Sequence, residues 1–244
     1  MTTPGTTAIP ASNLLWGKLV PDRIREAAKS RGADALLRDL AGVETLCVAG
    51  QMVGNGDLVL HSPAGSYQEF AGSFRRTLTR LVLSHNGILA ELSDDRFLVL
   101  FPRLKDVIDK PIGSGFAFCT ELDRECHDLF SAIAHRLYHH PITDDHKPRR
   151  YGFSVGIDLG EISWSLHDGM LVVSGPAVTW SRRCMQGDAD AVIVNNALRW
   201  RMADSSTLEA ASAVALYAHH ILFREVVLVS DGITFRAYRL ARRK

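Results

Sequence analysis

Three groups of residues in this chain have types and spacings that could do chemistry. The first is "HNGILAELSDDRFLVLF", His85 to Phe101, where Asp94 and Asp95 sit in a tight bend between two short apolar runs. Neighbouring carboxylates at a hairpin tip can ligate a divalent cation, and Asp is equally a favoured turn residue on conformational grounds. The second is "SGPAVTWSRRC", in which Arg182 and Arg183 follow a Gly-Pro helix start at the second turn. Two guanidiniums beside a helix N-terminus can attract an anion, although such a pair is as often a solvated face. The third is the set His135, His139, His140 and His146 beside Asp144 and Asp145. His135 and His139 stand four apart on a helix, a zinc-compatible spacing, but no third ligand is fixed by spacing. A polar helix end running into a loop is the reading adopted. His219 and His220 read as surface.

The bulk composition narrows the function classes. The 244 residues are 46% apolar and 23% charged, enough for one large domain with a sizeable core. A net charge of +1 gives no general attraction to nucleic acid or to an anionic membrane, and "KPRR" and "RLARRK" read as solvated basic faces. No apolar run reaches the roughly 20 residues that span a bilayer. The start, "MTTPGTTAIPAS", reads as a disordered lead-in over 1–12 rather than a secretion signal. Cys47, Cys119, Cys126 and Cys184 lie in apolar segments without CxxC spacing, so buried reduced thiols and a cytoplasmic location are expected.

The elements that must position these groups follow from periodicity. Residues 13–42 read as a helical extension of one or two short helices, with Pro21 early in the second. "VETLCVAG" is a β-type run and "MVGNGD" a turn. Phe70, Phe74, Leu78, Leu81 and Val82 fall at helical spacing, with Arg75, Arg76 and Arg80 on the other face. Two strands flank the Asp94 bend, and Pro111 and Gly113 mark a loop. Phe118, Leu122, Cys126, Leu129, Phe130, Ile133 and Leu137 make one long helical stripe. Then come a strand "YGFSVGIDLGEISW", a strand "GMLVVSG", a short helix opening at Pro176, and a strand "AVIVNNAL". A helix over 207–222 and a hairpin about a Ser-Asp-Gly turn complete the chain. The order β-α-β-β-α-β predicts an α/β (α+β) fold, a ferredoxin-like palm with extra C-terminal β-α-β elements, over 43–244.

In this order, three patches resemble the class III nucleotide cyclase homology domain, from Val43 to about Arg201. "HNGILAELSDDRFLVLF" resembles the family's hairpin, "VGIDLGEI" its Gly-Ile-His-x-Gly-Glu strand, and "VSGPAVTWSRRC" its Gly-x-x-Val-Asn-x-Ala-x-Arg helix start. The hairpin also resembles that of GGDEF diguanylate cyclases, but "GPAVTWSRRC" matches the class III pattern better than the Ala-Asp-x-Ala-Leu-Tyr helix expected there. The resemblance implies conversion of a nucleoside triphosphate to a 3′,5′-cyclic monophosphate, by two metal-binding aspartates, a ribose-orienting asparagine and a phosphate-stabilising arginine. It also implies head-to-tail dimers with composite sites.

Carried over position by position, the resemblance implies a depleted site. Asp94 falls on the hairpin aspartate, with Asp95 as its deputy, while the first aspartate is replaced within Cys47-Val48-Ala49-Gly50. Asp57 is the next acid and lies several residues too late. The base-selecting pair becomes Ala90 and Val172, and the ribose asparagine becomes Thr179. The arginine is retained as Arg183, with Arg182 beside it. Asp158 stands where the family pattern has histidine, and Glu161 is kept without an assigned role. The expectation is therefore a dimerising nucleotide-binding or regulatory module with impaired catalysis. Two alternatives stay open: an active cyclase of unusual base specificity, such as an antiphage pyrimidine cyclase using Mg²⁺ or Mn²⁺, and the arginine-donating half of a heterodimer. Trp164, Trp180 and Trp200 fit an interface or a plain core equally.

Overall fold

A run that is apolar at every position needs cover on both faces, and "LCVAG" is such a run. It forms β3 (Glu44–Val53), from which the architecture can be built outward. The computed structural model describes residues 14–15, 18–104, 108, 110–138, 151–168, 170–186, 188–189, 191–203 and 221–242. The 1–12 lead-in, His139, His140, His146, Asp144, Asp145, His219, His220 and nearly all of the helix expected over 207–222 lie outside these residues.

Before β3 come two strand fragments, β1 (Leu14–Leu15) and β2 (Lys18–Leu19), and two helices, α1 (Asp22–Arg31) and α2 (Ala33–Leu40). After it the palm continues with α3 (Asn55–His61), α4 (Ala64–Ser84), β4 (Ile88–Leu92), β5 (Arg96–Pro102), α5 (Pro111–Tyr138) and β6 (Gly152–Glu161). A separate ribbon of β7 (Ser163–His167) and β8 (Met170–Ser174) leads into α6 (Pro176–Cys184), β9 (Ala191–Asn195) and α7 (Asn196–Ala203). The hairpin β10 (Ile221–Ser230) and β11 (Ile233–Arg242) turns at Asp231-Gly232, where both residues have positive φ, as a two-residue type I′ loop requires. The nine-stranded sheet runs β1-β2-β4-β5-β3-β6-β9-β11-β10, antiparallel at every junction except β6 with β9. Its centre, β4-β5-β3-β6, is the expected ferredoxin-like palm within a mixed α+β fold.

Several local expectations are corrected. Pro21 precedes the first helix instead of lying inside the second, and Lys18–Leu19 is a strand. "GNGD" does not end in a loop: Gly54 takes a left-handed conformation (φ 81°) and launches α3. Pro111 and Gly113 open α5, since a proline's fixed φ suits a first helical turn. "YGFSVGIDLGEISW" is two strands broken at Ile162, and the end of "AVIVNNAL" starts α7. Ile221 and Leu222 belong to β10, where their strand pairing with β11 overrides a helical spacing.

Two apolar layers hold the sheet. On one face α4 and α5 bury Phe70, Phe74, Leu78, Phe118 and Phe130 against Leu46, Val48, Phe101 and Phe153. On the other face α1, α2 and α6 bury Ile24, Leu36, Leu40 and Val178 against Cys47, Ala49, Ala90, Leu98 and Leu100. The helical extension is thus part of the core of the palm. Glycines set the closest approaches. A Cβ on Gly156 of β6 would lie 2.0 Å from the Ser181 carbonyl oxygen and 2.4 Å from the Met185 nitrogen, so α6 rests directly on bare backbone. Gly156→Ala is therefore expected to destabilise the protein by about 1–3 kcal/mol or more, since backbone cannot step aside as a side chain can. A denaturant midpoint unchanged from wild type would contradict that packing.

Candidate functional site

The hairpin bend is built from backbone bonds. The Ser93 N–H donates to the Arg96 carbonyl at 2.8 Å, and the Met52 N–H donates to the Asp95 carbonyl at 2.7 Å, which ties the tip to the end of β3. The Asp94 side chain is 80% exposed and its Oδ1 lies 2.7 Å from Arg75 Nη2 on the basic face of α4. Asp95 Oδ2 lies 3.9 Å from Arg96 Nε. Both acids of the bend thus have arginine partners. Among the described residues no group of three or more His, Cys, Asp or Glu side chains converges as a metal site. A two-metal arrangement does not fit the described residues.

The stretch of β3 where the resemblance places a first aspartate is tightly packed. Cys47 and Ala49 point into the layer under α1, α2 and α6, and Val48 points into the opposite layer. At Gly50 a Cβ would lie 2.1 Å from the tip of the Phe97 ring. Burial pushes the Cys47 thiol far up, with the Asp158 charge adding to the effect and Arg182 opposing it. That is an inert thiol in a dry interior.

The two positions of the expected base-selecting pair face different surroundings. Ala90 is the extra residue of a β-bulge, because Leu89 pairs with Val99 and Glu91 with Leu98. It is 2% exposed beneath α1 and α2. Val172 on β8 is 42% exposed, while its neighbour Val173 packs against the layer that contains Ala90.

On α6 the polar side chains lean on neighbours within the chain, although Arg183 Nε has no hydrogen-bond partner among the described residues. The Thr179 hydroxyl donates to the Gly175 carbonyl at 3.1 Å. Arg182 pairs with Glu91, and this contact bridges α6 to β4 across the covered face. Arg183 is mostly buried, with its guanidinium carbon 5.0 Å from the centre of the Trp180 ring. Its Nε lies 3.7 Å from Asp231 Oδ2, a charge contact too long for a hydrogen bond. Trp180 in turn meets Phe235 edge-on, with ring centres 5.0 Å apart. The other two tryptophans part company: Trp164 packs on the covered face, and Trp200 is exposed under Arg199.

One residue of chemical interest, Asp158, received no role from sequence. It lies on β6 opposite Cys47 and is 3% exposed. Gly156 and Gly160 flank it on the same face, and α6 runs over both glycines. The carboxyl takes hydrogen bonds from the Asn195 side chain and the Leu159 N–H, yet its Oδ1 has no partner among the described residues. Burial raises it from an ordinary value of 3.8 to about 6, with those two hydrogen bonds holding it down. Asp158 lines a cleft of about 650 Å³ with Glu161, Ser163, Pro176, Trp180 and Asn195. The legible signal was an acid between two glycines in the middle of a largely apolar strand.

With this geometry in view, the comparisons with known proteins bear on the fold. No protein-family model and no curated protein matches the chain. Among solved structures, it is similar to the adenylyl cyclase CyaB from P. aeruginosa, with 11% identity and a TM-score of 0.59 over 83% of this chain and 95% of that one. The adenylate cyclases from Trypanosoma brucei in their monomeric state match at 11% identity and 0.55 over 81% and 87%. The guanylate cyclase domain of RhGC from Catenaria anguillulae, in complex with GTP, matches at 10% identity and 0.53 over 83% and 98%. The chain has the fold of class III adenylyl and guanylyl cyclase catalytic domains. No helix among the described residues is long and apolar enough to cross a membrane.

Two outcomes follow from the burial. Ala90→Lys places an ammonium without a partner under α1 and α2, and should cost about 3 kcal/mol or more in a denaturant titration. A near-wild-type midpoint would mean that this face is open. For Asp158 the folded value lies above the unfolded one, so the buried charge weakens the fold fully above pH 6, partly between pH 6 and 3.8, and not below. Asp158→Asn should therefore stabilise the protein at pH 7.5 by up to about 3 kcal/mol. That gain should vanish by pH 3.5 in paired thermal melts.

Proposed function

We propose that this chain is a nucleotide cyclase homology domain that has lost catalysis and serves as a nucleotide-binding, dimerising regulatory module. The observation that carries the reading is the covered palm face. Cys47, Ala49 and Ala90 occupy the positions where the resemblance implies a metal carboxylate and a base-selecting group, and all three lie in one apolar layer under α1, α2 and α6. A nucleoside triphosphate cannot reach a site that the chain fills with its own leucines and isoleucines.

What remains polar on α6 is the pair Arg182 and Arg183. Arg182 and Arg183 each face an acid, Glu91 and Asp231, on a separate element. A triphosphate can take the place of those carboxylates, because a phosphate offers a guanidinium the same paired acceptors with more charge. Thr179 would lie one turn away for a ribose hydroxyl. Asp94 and Asp95 are retained in this reading as a remnant of the metal site, with Arg75 and Arg96 in the place of cations. Self-association would use surfaces left open, among them the β7–β8 ribbon with exposed Leu166, Met170 and Val172.

Incubation of the full chain with Mn²⁺ and each of the four nucleoside triphosphates should yield no cyclic nucleotide. Equilibrium binding of a triphosphate should weaken at least tenfold in Arg182→Ala and Arg183→Ala. Cyclic product from a pyrimidine triphosphate would overturn the reading in favour of an active cyclase of unusual specificity. Product only on mixing with a complementary cyclase domain would mark the chain as the arginine-donating half.

A further inference from the structure

The nine-stranded sheet ends at β10, and among the described residues no strand pairs with its outer edge. Native proteins keep such edges short, bulged or broken by proline, because a row of free N–H and C=O groups pairs readily with another strand. β10 has none of these guards. It is ten residues long, contains no proline and runs beside β11 through ten pairs without a shift in register. A usual strand has about five or six residues. Arg224 and Glu225 sit towards one end, which leaves Val226 to Ser230 as an uncharged run along the edge.

The pairing inside the hairpin decides which groups face outward. The two-residue loop at Asp231-Gly232 closes on the pair Ser230–Ile233, so hydrogen-bonded and open pairs alternate from there. Ser230, Leu228, Val226 and Arg224 direct their backbone groups to β11, and Val229, Val227 and Glu225 direct theirs away from the sheet. The side chains divide by the same parity. Val226, Leu228 and Phe235 pack towards Cys184 and Ile193, and Phe235 also meets the Trp180 ring. Gln186 Nε2 donates to Ser230 Oγ at 2.8 Å, so that face is anchored by α6 and the residues after it. On the opposite face Val227 and Val229 are each 62% exposed, beside the ion pair of Arg236 Nε with Glu225 Oε1 at 3.5 Å.

We infer that β10 is a self-association edge, to which a second copy of this chain adds its own β10 antiparallel about a two-fold axis at Val227. The strand is self-complementary in that register. Val227 meets Val227 of the second copy, Glu225 meets Val229, Arg224 meets Ser230 and Val226 meets Leu228. Directly opposed residues share a face, so the exposed valines of both copies join in one apolar stripe across the seam. The outward groups of Glu225, Val227 and Val229 then form about six backbone hydrogen bonds. Neighbouring registers are poorer. A two-fold at Glu225 or Arg224 opposes identical charges, one at Leu228 brings Glu225 onto Asp231, and one at Val226 sets Arg224 against Leu228. A one-strand seam falls below the roughly 800 Å² per partner of a standard interface, so the expected dimer has micromolar affinity. The association goes beyond the nucleotide reading and does not rest on it. It uses none of Thr179, Arg182 or Arg183, and it differs from dimerisation through the β7–β8 ribbon.

Sedimentation velocity of the full chain, from low to several hundred micromolar, tests it, with a reversible monomer–dimer equilibrium as the expected result. Val227→Lys sets two ammonium groups against each other at the axis and should weaken dimerisation at least tenfold. Val229→Lys adds the same charge to the same strand but faces Glu225 of the second copy, so it should dimerise as well as the parent. Val172→Glu on the β7–β8 ribbon should leave the dimer unchanged. All three side chains are exposed, so thermal melts should show each variant folded. A chain that stays monomeric throughout, an undiminished dimer in Val227→Lys, or equal loss in both lysine variants would overturn the proposal. Loss of the dimer in Val172→Glu alone would overturn it as well and move self-association to the ribbon.

Discussion

Everything in this molecule is arranged about one constraint, the burial of β3 on both of its faces. Leu46, Cys47, Val48 and Ala49 are at most 1% exposed, and β5 and β6 take every edge of the strand. A strand in that position can hold only small or apolar side chains, because each polar atom would have to find a partner in a dry interior. The α4–α5 layer explains one face. The other face is closed by α1, α2 and α6, and so the N-terminal extension decides what chemistry the centre of the sheet can offer.

The palm was legible because its signals are periodic and redundant. The stripe on α4 and the stripe on α5 both lie at 3.6-residue spacing, and the described members of each are buried or half-buried in one layer. The elements that were missed or misplaced share a different cause. α3 and α5 open with Asn-Gly-Asp and Pro-Ile-Gly, and α7 opens at the second residue of an Asn-Asn pair, compositions that read as turns. What makes them helical is Leu58, Ile112 and Leu198 anchoring each first turn in the common core, a tertiary effect that local propensity does not contain.

The candidate site was legible as a set of replacements but not as an arrangement. Sequence identified Ala90, Val172 and Thr179 as apolar or shortened side chains, and no pattern in it reveals that Ala90 is the bulged residue of β4 under two helices. Arg182 and Arg183 are adjacent in the chain yet serve different elements, one pairing with β4 and one stacking on Trp180 beside the β10–β11 turn. Asp158 is the reverse case. Its letter was visible, but its weight comes from Gly156 and Gly160, whose missing side chains let α6 descend and shut the acid away from water.

The fit of Phe97 over Gly50 has a consequence for descent. A carboxylate at Gly50 would need the Phe97 ring to move, and one at Cys47 or Ala49 would need the helices of the opposite layer to leave. Each of those steps taken alone opens a cavity or strands a charge, and is removed by selection before the next arrives. The packing therefore works as a barrier: a polar centre on β3 cannot be reached one substitution at a time.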